Sequence, residues 1–463
     1  NRKGRFQMEK FMEQMVDFVD ELTYEDLSPD VVEHTKRLMF DTFGCALGAF
    51  PYGPPTIARS LAADVQSTTP STVLVGGQKT SLDMATFANG VMIRYLDFND
   101  YYFNLGGGHP SDMIAPALSV VDAIRGSGKD AILGAVIGYE IILGLADSVA
   151  LRTARGWGSG GAGAVIASAL VASKFLGLNK QQMEHAVSLG ISSHLSLGRS
   201  RAGQISNWKG ATEANDSRNG VFSALMASKG MTGPDNIFSG RNGFFEITGG
   251  PFDLQPLGGQ GSPFRILGAR VKGFPSGYPS HTGIQAALEL RDKIKSLSDI
   301  QEIRLFTSRS GMGYANEDAC WEPKTRERAD HSHPFLVSLA LTEGSVQVHH
   351  FEEGYYLRPD IVELMKKVQV SVGEESDNAP NVGMPLSVLE VEIQSGETLT
   401  AKKGFDLEYS QGLFTDEAQE NKFRPMALPL LPSEQTEKLI QGLRKLEEIS
   451  DIGEVLNLSV PPT

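Results

Sequence analysis

Residues Tyr95–Asp112 concentrate side chains that move protons: Asp97, Asp100 and Asp112 share one short stretch with His109, and Tyr95, Tyr101 and Tyr102 stand among them. Gly106, Gly107 and Gly108 precede the histidine and Pro110 follows it, so its backbone is locally fixed while the loop before it can bend around a ligand. Imidazole changes charge near neutral pH, and a neighbouring carboxylate orients it and tunes its proton affinity. A lone histidine is most often structural; three acids beside this one favour a site.

Two lysines extend the pattern. Lys209 sits between Trp208 and Gly210 just before a helical pattern, and Lys272 lies in Arg270-Val271-Lys272-Gly273-Phe274-Pro275. Most lysines are solvated surface residues. Converging on one cleft, these two would instead clamp a dicarboxylate or tricarboxylate. Asp330-His331-Ser332-His333 invites a metal reading, but Pro334 suggests a helix start, where the two rings do not share a face, and no third ligand is specified. His349-His350 reads as a solvated turn. Gly158–Gly163 matches a dinucleotide fingerprint, yet no buried strand precedes it and no suitably placed acid closes a βαβ unit, so the glycines are better read as allowing close approach of chain segments.

Size, composition and periodicity define the scaffold that must position these residues. With 463 residues, 41% of them hydrophobic, the chain exceeds the size at which a single core stops growing, about 250–300 residues, and two domains are expected. A net charge of −14 without basic runs argues against nucleic-acid or anionic-membrane partners. Two cysteines, Cys45 and Cys320, fit a reducing compartment, and fall short of an iron–sulfur cluster. No apolar run is expected to reach the ~18–20 residues that span a bilayer, and the N-terminus does not read as a signal peptide. A cytoplasmic protein is the resulting expectation.

Apolar periodicity predicts helices at 30–48, 82–97, 113–125, 129–150, 164–178, 183–197 and 212–229. Strands are expected at 303–306, 368–372, 387–394 and 398–403, the last two joined at Ser395-Gly396. The fold class is therefore mostly α, with a large helical domain formed by 1–267 and 405–463 and a smaller α+β domain at 268–404. In the tail, 426–431 reads as a proline-punctuated connector before a last helix near 433–446 that returns to the first domain.

The chain resembles the MmgE/PrpD family. The resemblance rests on Arg94–Asp100, on Gly108-His109-Pro110-Ser111-Asp112, on Trp208-Lys209-Gly210 with the run to Pro234, on Lys272-x-Phe274-Pro275, and on Ala329-Asp330-His331-Ser332. It implies a helical domain, an α+β lid, a site in the cleft between them, homodimers, and no metal or organic cofactor. By motif position it implies Asp97, His109, Lys209 and Lys272 as catalytic residues. Tyr101 stands where relatives carry a polar site residue, and Ser111, Asp112, Arg201, His281 and His331 complete the expected substrate-binding set. The resemblance departs at Gly156–Gly160, where relatives carry an Asp-His pair, and at Tyr278–Thr282, where His281 is a candidate to compensate from the other side of the cleft.

The chemistry so implied is a carbanion beside a carboxylate: a base removes the α-proton, or carbon dioxide departs, and cations stabilise the enediolate. Dehydration of a citrate-like or alkylcitrate-like acid comes first, since Ser111-Asp112 matches the dehydratase-like branch. Epimerisation of an imino- or aminodicarboxylate needs proton removal and return alone. Decarboxylation of a cis-aconitate-type acid is third, and a degenerate binding or scaffold protein is the non-enzyme alternative.

Overall fold

Helices begin where the sequence supplies partners for the first orphan amides. Ser28 Oγ accepts from Val31 N at 3.4 Å with Pro29 in the first turn, opening Pro29–Ala49. Reciprocal boxes, Ser127 with Asp130 and Asn179 with Gln182, open Gly128–Ser148 and Lys180–Ser193. The structure is a computed structural model that describes every residue except 1, 104–107, 150–160, 195, 249, 260, 353, 380–383 and 463. The first half of the glycine run at 158–163 lies outside the described residues; from Gly161 the chain is helical to Phe175.

Two apolar cores form. The first gathers the helices before residue 230 and also takes Phe423, Leu439, Leu443 and Val455 from the tail. The second runs from Ile284 to Ala401. In it, β3 (Ile300–Thr307) pairs in parallel with β4 (Val368–Val372) and antiparallel with β5 (Ser387–Ile393), which turns at Gly396 into β6 (Thr398–Lys403). A two-residue hairpin, β1 (Ser71–Thr72) and β2 (Lys79–Thr80), completes the strands among the described residues. Ile300, Ile303 and Leu305 of β3 are buried, while helices His281–Arg291 and His333–Glu343 lie against the sheet. The architecture is mostly helical with a small mixed sheet, as the periodicity predicts.

Thr212–Ser228 is the central helix, packed on Gly161–Phe175, Leu82–Arg94 and Lys180–Ser193. It approaches its neighbours so closely that a Cβ on Gly220 would lie 2.1 Å from Ser168 Oγ and 2.4 Å from the Val165 carbonyl. Four expectations need correction. The helix read through residue 97 stops at Arg94, because Asp97 takes a left-handed backbone (φ 52°) that no α-helix accommodates. The supposed connector at 426–431 overlaps a helix, Asp416–Ala427, that tolerates Pro425. His350 is buried, its Nδ1 accepting from Gln347 N at 3.1 Å, instead of lying in a solvated turn. Gly128–Ser148 is long and apolar enough to cross a membrane, although 78% of its apolar window is buried inside the protein.

Gly220→Ala should lower stability by about 1–3 kcal/mol, since the clash is with backbone that cannot swing aside. Urea unfolding followed by circular dichroism checks this, and an unchanged midpoint would show that the helix pair can separate.

Candidate active site

Leu82–Arg94 ends by delivering Arg94 and, three residues on, Asp97. The short polar side chain of aspartate tolerates the left-handed conformation better than a branched one would. The carboxylate is fully buried and faces three cations. Arg94 Nη1 lies 2.5 Å from Oδ1, Lys272 Nζ 2.8 Å from Oδ1, and Lys209 Nζ 3.2 Å from Oδ2. Lys272 also donates to the Asp97 backbone carbonyl at 2.8 Å. Burial alone would raise the Asp97 carboxyl; Arg94, Lys209 and Lys272 overcome that and hold it well below its usual value.

The segments carrying these groups come from distant parts of the chain. Lys209 sits in the single helical turn Asn207–Ala211 before the central helix. Lys272 follows a short pairing of Tyr101 with Arg270, whose N–H and carbonyl groups exchange hydrogen bonds of 2.8 and 2.9 Å. Asp330 and His331 follow the turn Arg326–Ala329, and Asp330 accepts from Lys209 at 3.0 Å. His331 sets Nδ1 against Asp330 and Nε2 3.5 Å from Asp97 Oδ2, under the Tyr314 ring at 4.8 Å. Burial and the Lys209 charge push its pKa down to about 4.

His109 completes the cluster. Its Nδ1 lies 2.7 Å from the Asp100 carbonyl, which can only accept, so Nδ1 carries the proton and Nε2 keeps its lone pair. Nε2 lies 3.8 Å from Asp97 Oδ1, and the ring meets Tyr278 edge to face at 6.4 Å. Burial, then Arg94 and Lys272, hold the imidazole well below its usual pKa, so it is neutral at pH 7. Lys272 is lowered from 10.5 to about 8, chiefly by burial.

Asp97, His109, Lys209, Lys272 and His331 thus share one cluster, and the other expected residues stand around it. Tyr101 is buried and stacks on Tyr278 at 5.1 Å. Ser111 lies behind the loop, its Oγ accepting from Asn99 and its amide donating to Asp100. Asp112 is buried near Glu213; burial and that second carboxyl push it well above the usual range. Arg201 pairs with Glu213. His281 is buried with Nε2 3.3 Å from the Ser276 carbonyl, and its Nδ1 finds no hydrogen-bond partner among the described residues. His333 turns away to the Gly311 carbonyl at 3.0 Å, so the two rings of the His-x-His do not act together.

Arg94 and Asp330 are cluster members that motif reading does not single out. The Arg94–Asp97 spacing of three residues is a readable ion-pair signal; Asp330 is visible only as the neighbour of His331. Asp97, Asp330 and His331 present ligand atoms within 4.8 Å of one another. Those carboxylate oxygens already accept from Lys209, Lys272 and Arg94, and a divalent ion there would meet three positive charges. The donor set does not suit a metal.

Asp97→Asn keeps a residue that accepts the left-handed backbone and removes only the charge, leaving Arg94 and Lys272 without this carboxylate and Lys209 with Asp330 alone. It should destabilise the fold by about 3–5 kcal/mol at neutral pH. Because the folded carboxyl titrates below its unfolded value of 3.8, its contribution is complete above that pH and is lost as pH falls further. Urea titrations of both proteins should therefore converge on acidification below 3.8; a constant gap would contradict the ion-pair account.

The profile of the MmgE/PrpD N-terminal domain matches residues 13–257, and that of the C-terminal domain matches 274–448. Human cis-aconitate decarboxylase is 25% identical over 456 residues, 94% of this chain and 92% of that protein. The 2-methylcitrate dehydratase of Escherichia coli K12 is 28% identical over 389 residues, covering 78% of this chain and 77% of its own. Cis-aconitate decarboxylase of Aspergillus terreus is 25% identical over 472 residues, 95% of this chain and 94% of that protein. With both domain profiles matched in order over most of its length, the chain belongs to the MmgE/PrpD family.

Proposed function

We propose that this protein is a lyase acting on a citrate-like polycarboxylic acid, and more specifically a hydro-lyase of the 2-methylcitrate type that works without a cofactor. The observation that carries this reading is the charge balance around Asp97. Arg94, Lys209 and Lys272 converge on Asp97 and Asp330 while both nearby histidines are neutral, so that among these groups three buried cations meet two carboxylates. Excess charge of that sign favours an anion, and each interaction is stronger there than in water.

In this reading His109 Nε2 removes the proton next to a substrate carboxylate. The electron pair enters that carboxylate as an enediolate, whose growing charge Lys209 and Lys272 stabilise. Collapse of the enediolate forms the carbon–carbon double bond and expels the β-hydroxyl, which leaves as water with a proton from Lys272. Two of the Lys272 N–H groups go to Asp97, and an ammonium with a pKa of about 8 is a competent acid near neutral pH. Loss of carbon dioxide is the second reading, favoured by the similarity to cis-aconitate decarboxylases along nearly the whole chain.

Proton NMR in heavy water with 2-methylcitrate, cis-aconitate and iminodisuccinate separates the possibilities. Alkene signals growing from 2-methylcitrate are expected; decarboxylation of cis-aconitate supports the second reading. Deuterium entry without consumption would redirect it to epimerisation, and silence on all three would overturn the substrate class. His109→Ala should lower kcat by about 100- to 10,000-fold in a folded protein, and full activity would remove His109 from the mechanism. As pH rises through about 8, kcat/KM should fall because Lys272 loses its proton. Lys272→Met should lose this alkaline limb along with most activity; an unchanged limb would assign the titration to another group.

A further inference from the structure

The helix Asp416–Ala427, in the tail of the chain, packs on Pro29–Ala49, far in sequence from the motifs, yet it sends one side chain to the site. Lys422 Nζ donates to the Phe98 carbonyl at 2.7 Å and the Lys272 carbonyl at 3.0 Å, and it lies 2.6 Å from Asp41 Oδ1. An ammonium has three N–H groups, and here each meets an acceptor. The same nitrogen stands 3.8 Å from the centre of the Phe98 ring, a cation–π contact. Asp41 is buried and is the counter-ion that makes a largely buried ammonium tolerable.

The identity of the two carbonyls matters more than their number. Phe98 immediately follows Asp97, and Lys272 carries the ammonium that faces it. Lys272 Nζ in turn donates to the Asp97 backbone carbonyl. Two lysines therefore cross-tie the same two strands of backbone, one from within the site and one from the tail.

We infer that Lys422 is a positioning residue for the proposed reaction: by holding the Phe98 and Lys272 carbonyls at one point, it fixes the separation of Asp97 and Lys272 and the place of the Lys272 ammonium. The inference rests on the proposed reaction for its kinetic consequence, not for its geometry. A tie that merely anchored the tail would affect stability alone. A positioning tie affects kcat, since a displacement of about 1 Å at a reacting group costs roughly 100-fold.

The test is Lys422→Met combined with Asp41→Asn, which removes both charges together and avoids stranding either in the interior. With the acid that the wild type converts, kcat should fall by roughly 100-fold while KM changes little. An unchanged kcat in a folded variant would overturn the inference. Should the double variant not fold, Lys422→Arg retains the charge next to Asp41, but its planar fork cannot reach the same three acceptors. It too should lose kcat, and wild-type turnover would again overturn the inference. Should the wild type convert none of the acids, the proposed reaction fails, and the tie is read from Lys272 itself. Nitrogen-15 NMR of its side chain should give a titration midpoint in Lys422→Arg that departs from the one measured in the wild type; an unmoved midpoint would overturn the positioning role.

Discussion

Asp97 is a buried carboxylate that three cations must keep charged. Taking one such group out of water costs several kcal/mol after relaxation, and only close, well-aligned partners offset it. Arg94 comes from the same helix end, Lys209 from the turn before the central helix, and Lys272 from the segment that follows Tyr101–Arg270 pairing. No one of these segments can shift without leaving a charge unpaired. The ion pair of Lys209 with Asp330 also ties the central helix to the part of the chain that builds the second core.

The proposed function leans on that arrangement. Pairing neutralises most of the charge, which lets the cluster be buried. Burial that would charge neither histidine keeps His109 as a free base, with the Asp100 carbonyl dictating which nitrogen holds the proton. Asp100 itself is pushed up to about 6 by burial, despite hydrogen bonds from Ser111 and Tyr139.

Much of this was legible in the sequence, for identifiable reasons. Helical periodicity, capping residues and the Ser395-Gly396 turn are local signals, and the elements they mark lie within a few residues of their expected limits. The Asp97, His109, Lys209 and Lys272 set was readable because each sits in a short motif. What escaped depends on long-range packing. The left-handed turn at Asp97 is held by Arg94 and by two distant lysines, Lys209 and Lys272, and no local propensity announces it. The contacts of Arg201 with Glu213, of Ser111 with Asn99 and of His281 with the Ser276 carbonyl are likewise announced by no local signal. Lys422 lies in an unremarkable polar helix 324 residues from its acceptor Phe98.

The most direct measurement is a crystal structure with propane-1,2,3-tricarboxylate, an unreactive analogue lacking the hydroxyl that would leave. The account predicts carboxylates bound by Lys209 and Lys272, with a methylene carbon about 3–3.5 Å from His109 Nε2. A tricarboxylate bound away from these lysines, or an imidazole of His109 turned from it and protonated on both nitrogens, would contradict the account.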